Sequence, residues 1–240
     1  MNGSPRPQLS PAGKLLRMLI RWSRGRKFLL GAASSVIAAV DETTPAYQPV
    51  DALGIAVDRT THRRVESRWE AIAPVLERVG ARSALDIGAA EGFYSLRIAS
   101  SGMSVVAVEA KERPHRILRR AESIVMPPGE LAQLRMTVSP ETVEFLPRAD
   151  AVLLLAVWHH WVRTEGLVQA DLMLTATWER SNKVLFFETG ENMPATYGLP
   201  DFGTDPLSAI SERLERACPG SRIEFLGCHP DRHLFAIIRR

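Results

Sequence analysis

The stretch from Ser83 to Glu109 constrains this chain most. A short apolar strand (Ser83 to Ile87) runs into a turn with two glycines, Gly88 and Gly92. A helical stretch follows to Ser101. A second apolar strand, Ser104 to Glu109, then ends in an acid. Glycines after a strand let the backbone turn sharply and come close to a ligand. An acid closing the second strand can accept the two hydroxyls of a ribose.

The alternation continues downstream. Pro114 to Ala121 reads as a helix and Leu134 to Val138 as a weaker third strand. Ala151 to Val157 is an unbroken apolar fourth strand, as a strand buried on both faces of a parallel sheet should be. Gly166 to Glu179 reads as a helix, Lys183 to Glu188 as a strand and Pro206 to Ala217 as a helix. Arg222 to Leu226 and His233 to Ile238 suit a closing hairpin. Upstream, Thr61 to Val79 keeps one apolar side (Val65, Trp69, Ile72, Leu76, Val79), with Pro74 inside it and Gly80 as a stop. The expected fold is α/β: a Rossmann-like, mainly parallel seven-stranded sheet flanked by helices, with an N-terminal helical arm.

Charge separates the arm from the body. Residues 1–40 carry seven basic side chains and no acid, leaving 23 basic against 27 acidic residues in the rest. A body of net negative charge disfavours a broad nucleic-acid surface, which needs a basic footprint. Residues 1–50 are therefore set apart as a basic arm or lid, and 51–240 as the main domain. Within the arm, residues 1–13 are expected to be flexible, and Lys14 to Trp22 has a basic amphipathic helix pattern. Phe28 to Val40 imitates a signal peptide, but the basic region before it is too long. Thr43 to Pro49 reads as a linker. No apolar run reaches the roughly 18 to 20 residues that span a bilayer. Two cysteines, Cys218 and Cys228, make a poor disulfide framework. A reducing, cytoplasmic setting is expected.

Leu85-Asp86-Ile87-Gly88-Ala89-Ala90-Glu91-Gly92-Phe93-Tyr94-Ser95 resembles motif I of class I S-adenosylmethionine (SAM)-dependent methyltransferases. Val106-Ala107-Val108-Glu109-Ala110 is similar to their acidic second motif. The resemblance implies SAM as cofactor and S-adenosylhomocysteine as product. It places Asp86, Gly88 and Ala90 around the methionine part and Glu109 on the ribose. Ala89, Gly92, Tyr94 and Ala110 fall in the same motifs. Ala90 stands where the family often has glycine. The adenine contact usually follows strand three, where Ser139 to Thr142 is the candidate stretch. A nicotinamide-binding Rossmann domain is the rival, but the acid inside Gly88-Ala-Ala-Glu-Gly92 suits a pyrophosphate poorly.

Trp158-His159-His160-Trp161 is read as the end of strand four, beside the reacting methyl group. A histidine there can take the proton of an alcohol acceptor. The pair is adjacent, so the two side chains should point different ways, with His159 favoured as the base. Glu188 at the end of strand five is expected to orient the histidine or bind a hydroxyl. Trp158, Trp161, Glu191, Asn192 and Tyr197 are the substrate candidates; core packing is the competing role for the tryptophans. No metal site is assigned. Metal-dependent catechol methyltransferases carry an aspartate just after strand four, whereas Asp150 here precedes it; Mg²⁺ stays open but not favoured.

The Trp-His-His-Trp and Phe-Phe-Glu-Thr-Gly segments look similar to bacterial sugar O-methyltransferases of mycobacterial methylmannose polysaccharide synthesis. That implies a small-molecule or oligosaccharide acceptor methylated on oxygen. The alternatives are a tRNA or other RNA methyltransferase that uses the basic arm, and a non-catalytic partner protein of the same fold. A homodimer is compatible with all of these.

Overall fold

The computed structural model describes residues 46–229 and 232–240. The arm helix and apolar stretch expected within residues 1–45 lie outside the described residues. The described compact unit spans Ala46–Arg240.

Helix α1 (Arg59–Arg78) opens the domain. The Asp58 side chain caps it, accepting N–H groups of Thr60 and Thr61 at 2.9 and 3.0 Å. Its buried stripe includes Val65, Ile72, Val75 and Leu76, and it runs through Pro74 as one element. Strand β1 (Ser83–Ile87), helix α2 (Phe93–Ser100), β2 (Ser104–Glu109), helix α3 (Glu112–Val125) and β3 (Leu131–Arg135) follow. Then come β4 (Ala149–Leu155), helices α4 (Trp158–Glu165) and α5 (Leu167–Arg180), β5 (Ser181–Glu188), helix α6 (Pro206–Ala217), β6 (Ser221–Cys228) and β7 (His233–Arg239).

The seven strands lie in the order β3-β2-β1-β4-β5-β7-β6. The first five are parallel, and β7 is antiparallel to both its neighbours. The sheet winds outward from β1 in one direction and from β4 in the other, so its switch point lies between those two strands. A ligand crevice is expected there, at the carboxyl ends. Alternate residues of each central strand feed opposite cores. Leu85, Val152, Leu154 and Phe187 pack on one face of the sheet. Ala84, Ala151, Leu153 and Phe186 pack on the other. That two-sided burial is why these strands are apolar without a break.

Several expectations need correction. Strand three occupies Leu131–Arg135, earlier than the expected Leu134–Val138. It is an edge strand, none of whose residues is fully buried, so its apolar signal is weak. Strand four starts earlier and stops at Leu155. Ala156 takes a left-handed φ of 56°, which a strand cannot continue. Trp158 to Trp161 is thus the first turn of α4, not the end of a strand. Asp150 lies inside β4, where it accepts the N–H of Arg82 at 2.9 Å.

The linker reading of Thr43 to Pro49 fails over its described part. Glu91, inside the glycine turn, accepts the N–H groups of Tyr47 and Gln48, both at 3.0 Å. Gln48 Oε1 accepts the N–H of Phe93 at 2.9 Å. Val50 is buried beside Leu118.

Candidate functional site

A cavity of about 570 Å³ opens at the carboxyl ends of β1, β2 and β4, at the switch point. One wall is the turn after β1. Gly88 and Ala89 donate their N–H groups to Val108 O at 2.8 and 3.0 Å, which bends the turn back onto β2. Gly88 has a φ of 75°, and a Cβ there would stand 2.5 Å from the Val157 side chain. Ala90 also takes a left-handed φ of 50°. That conformation is easier for glycine, and it explains why glycine often stands at this position in the family that motif I resembles.

The Glu109 carboxylate forms the floor beside the turn. Its Oε2 accepts the N–H of Ala90 at 2.9 Å and its Oε1 the N–H of Lys111 at 2.7 Å. A carboxylate has about four acceptor positions, so this clamp fixes the group and leaves lone pairs for a ligand. Ala110 lines the cavity next to it. Met136, Thr137 and Val138 supply the rim beyond β3. Thr142, the expected adenine contact, does not line the cavity: its Oγ closes its own turn, accepting the N–H of Ser139 at 2.8 Å.

Other motif I residues support the turn from behind. Asp86 is buried and accepts the Ser95 hydroxyl at 2.5 Å. Burial, less that hydrogen bond and with the Glu109 charge added, pushes its carboxyl up to about 6. Ala89 is buried, and Gly92 packs directly against Leu118. Tyr94 is buried too, with its hydroxyl 3.5 Å from Val65 O. None of these four lines the cavity.

The opposite wall comes from the first turn of α4. His159 and His160 both face the cavity, with ring centroids 4.3 Å apart, rather than pointing different ways. The first turn of a helix, unlike a strand, can set adjacent residues on one open side. The Tyr197 ring stands 5.6 and 5.9 Å from the two imidazoles. His159 is 2% exposed and packs on Gly190. Its Nδ1 is buried without a hydrogen-bond partner among the described residues. Burial lowers its pKa to about 3, helped by the nearby His160, Arg232 and Arg163. His160 is exposed; desolvation and then Arg163, Lys111 and Arg232 push it down as well. Both rings are neutral at pH 7. Trp161 lines the cavity, whereas Trp158 is fully buried against Phe187 and belongs to the core.

The expectations for the end of β5 change most. Glu188 is fully buried and does not line the cavity. Arg68 Nη2 donates to its Oε1 at 2.7 Å, and Arg68 Nε faces its Oε2. Arg232 Nη1 lies 3.5 Å from the same Oε1. Burial raises the Glu188 pKa against the pull of Arg68 and Arg232. No hydrogen bond joins this carboxylate to either histidine among the described residues. Glu191 is likewise engaged, accepting the N–H of His233 at 2.6 Å and lying 2.7 Å from its Nδ1. Asn192 accepts Arg232 Nε at 2.8 Å.

Tyr47, Lys111, Arg163 and Arg232 also line the cavity, although no motif singled them out. Lys111 lies two residues past Glu109 and Arg163 one helical turn past His159–His160, so proximity to the motifs could have flagged both. Among the described residues, no group of three or more metal-ligating side chains exists, and no helix is long and apolar enough to cross a membrane.

The reversed strand order, the antiparallel seventh strand and the crevice beside the glycine turn define the fold of class I SAM-dependent methyltransferases. Solved structures share it. The bifunctional kinase-methyltransferase WbdD matches over 83% of this chain and 45% of its own, at 20% identity and a TM-score of 0.62. The chain thus spans less than half the length of that neighbour. Magnesium protoporphyrin IX methyltransferase (ChlM) from Synechocystis PCC 6803, solved with bound SAM, matches over 77% of this chain and 86% of its own, at 14% identity and a TM-score of 0.54. No family model and no curated protein matches the sequence.

Proposed function

We propose that the chain is a SAM-dependent methyltransferase that methylates oxygen on a sugar or another small hydroxylated acceptor. The observation that carries this reading is the Glu109 carboxylate, held by two backbone N–H groups beside the left-handed turn at Gly88 and Ala90. These residues fit the cofactor. Glu109 keeps lone pairs for the two ribose hydroxyls, and the missing Cβ at Gly88 lets Val157 close against the turn that borders the cavity. Met136 and Val138, on either side of Thr137, offer an apolar rim for adenine. SAM supplies an electrophilic methyl group on a sulfonium.

The chain's own contribution is positioning and proton transfer. The acceptor hydroxyl binds at the α4 wall, where Trp161 lines the cavity and Tyr197, with Arg163 over its ring, borders the imidazoles. Of the two neutral imidazoles we assign the proton to His160. It is exposed, so its imidazolium can be hydrated and can pass the proton to water. His159 would have to hold that charge at 2% exposure. His159 therefore packs and shapes the wall.

Calorimetry with S-adenosylhomocysteine, with and without EDTA, tests the reading on the full chain. Tight binding indifferent to EDTA is expected, and the labelled methyl of SAM should then pass to hydroxylated sugars. A chain that does not bind S-adenosylhomocysteine is not a SAM enzyme.

A further inference from the structure

Among the described residues, the cavity is lined by three permanent cations and two acids. Lys111, Arg163 and Arg232 stand against Glu109 and Glu165. Glu109 is committed to the cofactor side. The cofactor itself carries one net positive charge, from its sulfonium, so loading it makes the site more cationic.

Arg232 sharpens the imbalance. It is 6% exposed, yet it reaches the cavity wall. Its one ionic partner among the described residues is Glu188, at 3.5 Å, and Glu188 is already paired with Arg68. Its Nε donates to the neutral amide oxygen of Asn192 at 2.8 Å. One carboxylate thus serves two buried guanidiniums. A buried charge left without a counter-charge is costly. Arg163 comes in from α4, its guanidinium carbon 4.9 Å from the centroid of the Tyr197 ring. A guanidinium presents a planar fork suited to carboxylate and phosphate oxygens. Both arginines also hold down the pKa of His159 and His160, as charges facing one space would.

We propose that Arg163 and Arg232 grip an anionic group, a carboxylate or a phosphate, carried by the hydroxylated acceptor. The acceptor is then an acidic or phosphorylated sugar rather than a neutral one. This inference rests on the methyltransferase reading for what is transferred, but not for the existence of the anion site.

The test follows the imidazole resonances of His159 and His160 by NMR in the full chain, with and without S-adenosylhomocysteine. Inorganic phosphate and acetate are titrated separately against chloride at matched ionic strength. A saturable shift with at least one anion is expected, weakened about tenfold in Arg163→Gln and in Arg232→Gln. Arg163 is the safeguard, since it takes no part in the Glu188 cluster. A response to phosphate alone points to a phosphorylated acceptor and to acetate alone to a carboxylate. No saturable shift with either anion overturns the proposal, as does a shift unchanged in both variants. Failure to bind S-adenosylhomocysteine while the anion shift persists would instead sink the cofactor reading.

Discussion

Arg68 and Glu188, 120 residues apart in sequence, meet in a sealed ion pair that ties the middle of α1 to the end of β5. Arg68 is 3% exposed and Glu188 fully buried. Removing one partner from such a pair leaves the other charge stranded, which typically costs about 3–5 kcal/mol. Glu188→Gln is thus expected to lower unfolding free energy by that order in urea titrations. Its folded fraction should bind S-adenosylhomocysteine as the wild type does. A variant of wild-type stability that loses turnover would return Glu188 to the reacting edge.

The Glu109 clamp makes a sharper claim about the cofactor. Glu109→Ala removes the acceptor of the Ala90 and Lys111 N–H groups along with the expected ribose contact. S-adenosylhomocysteine affinity should fall by about tenfold or more, as for loss of a hydrogen bond to a charged group. Calorimetry reads this directly, and an unchanged dissociation constant would dismiss the ribose assignment.

Gly88→Ala meets two obstacles, a φ of 75° and a Cβ 2.5 Å from the Val157 side chain. Left-handed strain alone costs about 1–2 kcal/mol. The variant should melt lower and bind S-adenosylhomocysteine more weakly, because the turn must shift against Val157. Thermal melts with and without ligand separate the two effects.

His159 sets a pH dependence. Its folded pKa is about 3 against an ordinary 6.5. The unfolded chain therefore takes up the proton first, and stability present above pH 6.5 is lost as pH falls toward 3. At pH 5 the loss from this residue is about 2 kcal/mol. Asp86, held up to about 6, works the other way, its folded form gaining the proton first as pH falls below 6. The His159→Gln variant isolates the histidine. Between pH 7 and pH 5 it should lose about 2 kcal/mol less stability than the wild type in urea titrations. Parallel losses would show that His159 is not buried in its neutral form.

The central strands were readable from sequence because both their faces are buried, leaving runs such as Val152 to Leu155 with no polar interruption. The glycine turn was readable because a left-handed backbone restricts residue type, and Glu109 because it is an acid closing an apolar strand at a fixed spacing from that turn. The rest depended on contacts distant in sequence. Glu188 looked catalytic because it ends a strand on the ligand edge, and no local pattern reveals that Arg68 occupies it. Arg232 reaches the cavity from the β6–β7 turn, far from any motif. Edge strand β3 slipped by three residues because half-exposed positions tolerate Gln133 and Arg135. The Trp-His-His-Trp run was apolar enough to pass for strand, but its position after the left-handed Ala156 makes it helix.

The acid within the glycine turn has a practical consequence. Glu91 is 1% exposed, and both its oxygens are spent on the N–H groups of Tyr47 and Gln48. A fragment trimmed to start at residue 51, where sequence alone would cut, would strand that carboxylate under the glycine turn and strip Tyr47 from the cavity wall. The smallest unit worth expressing is therefore fixed by where Glu91 finds its donors, not by where regular secondary structure begins.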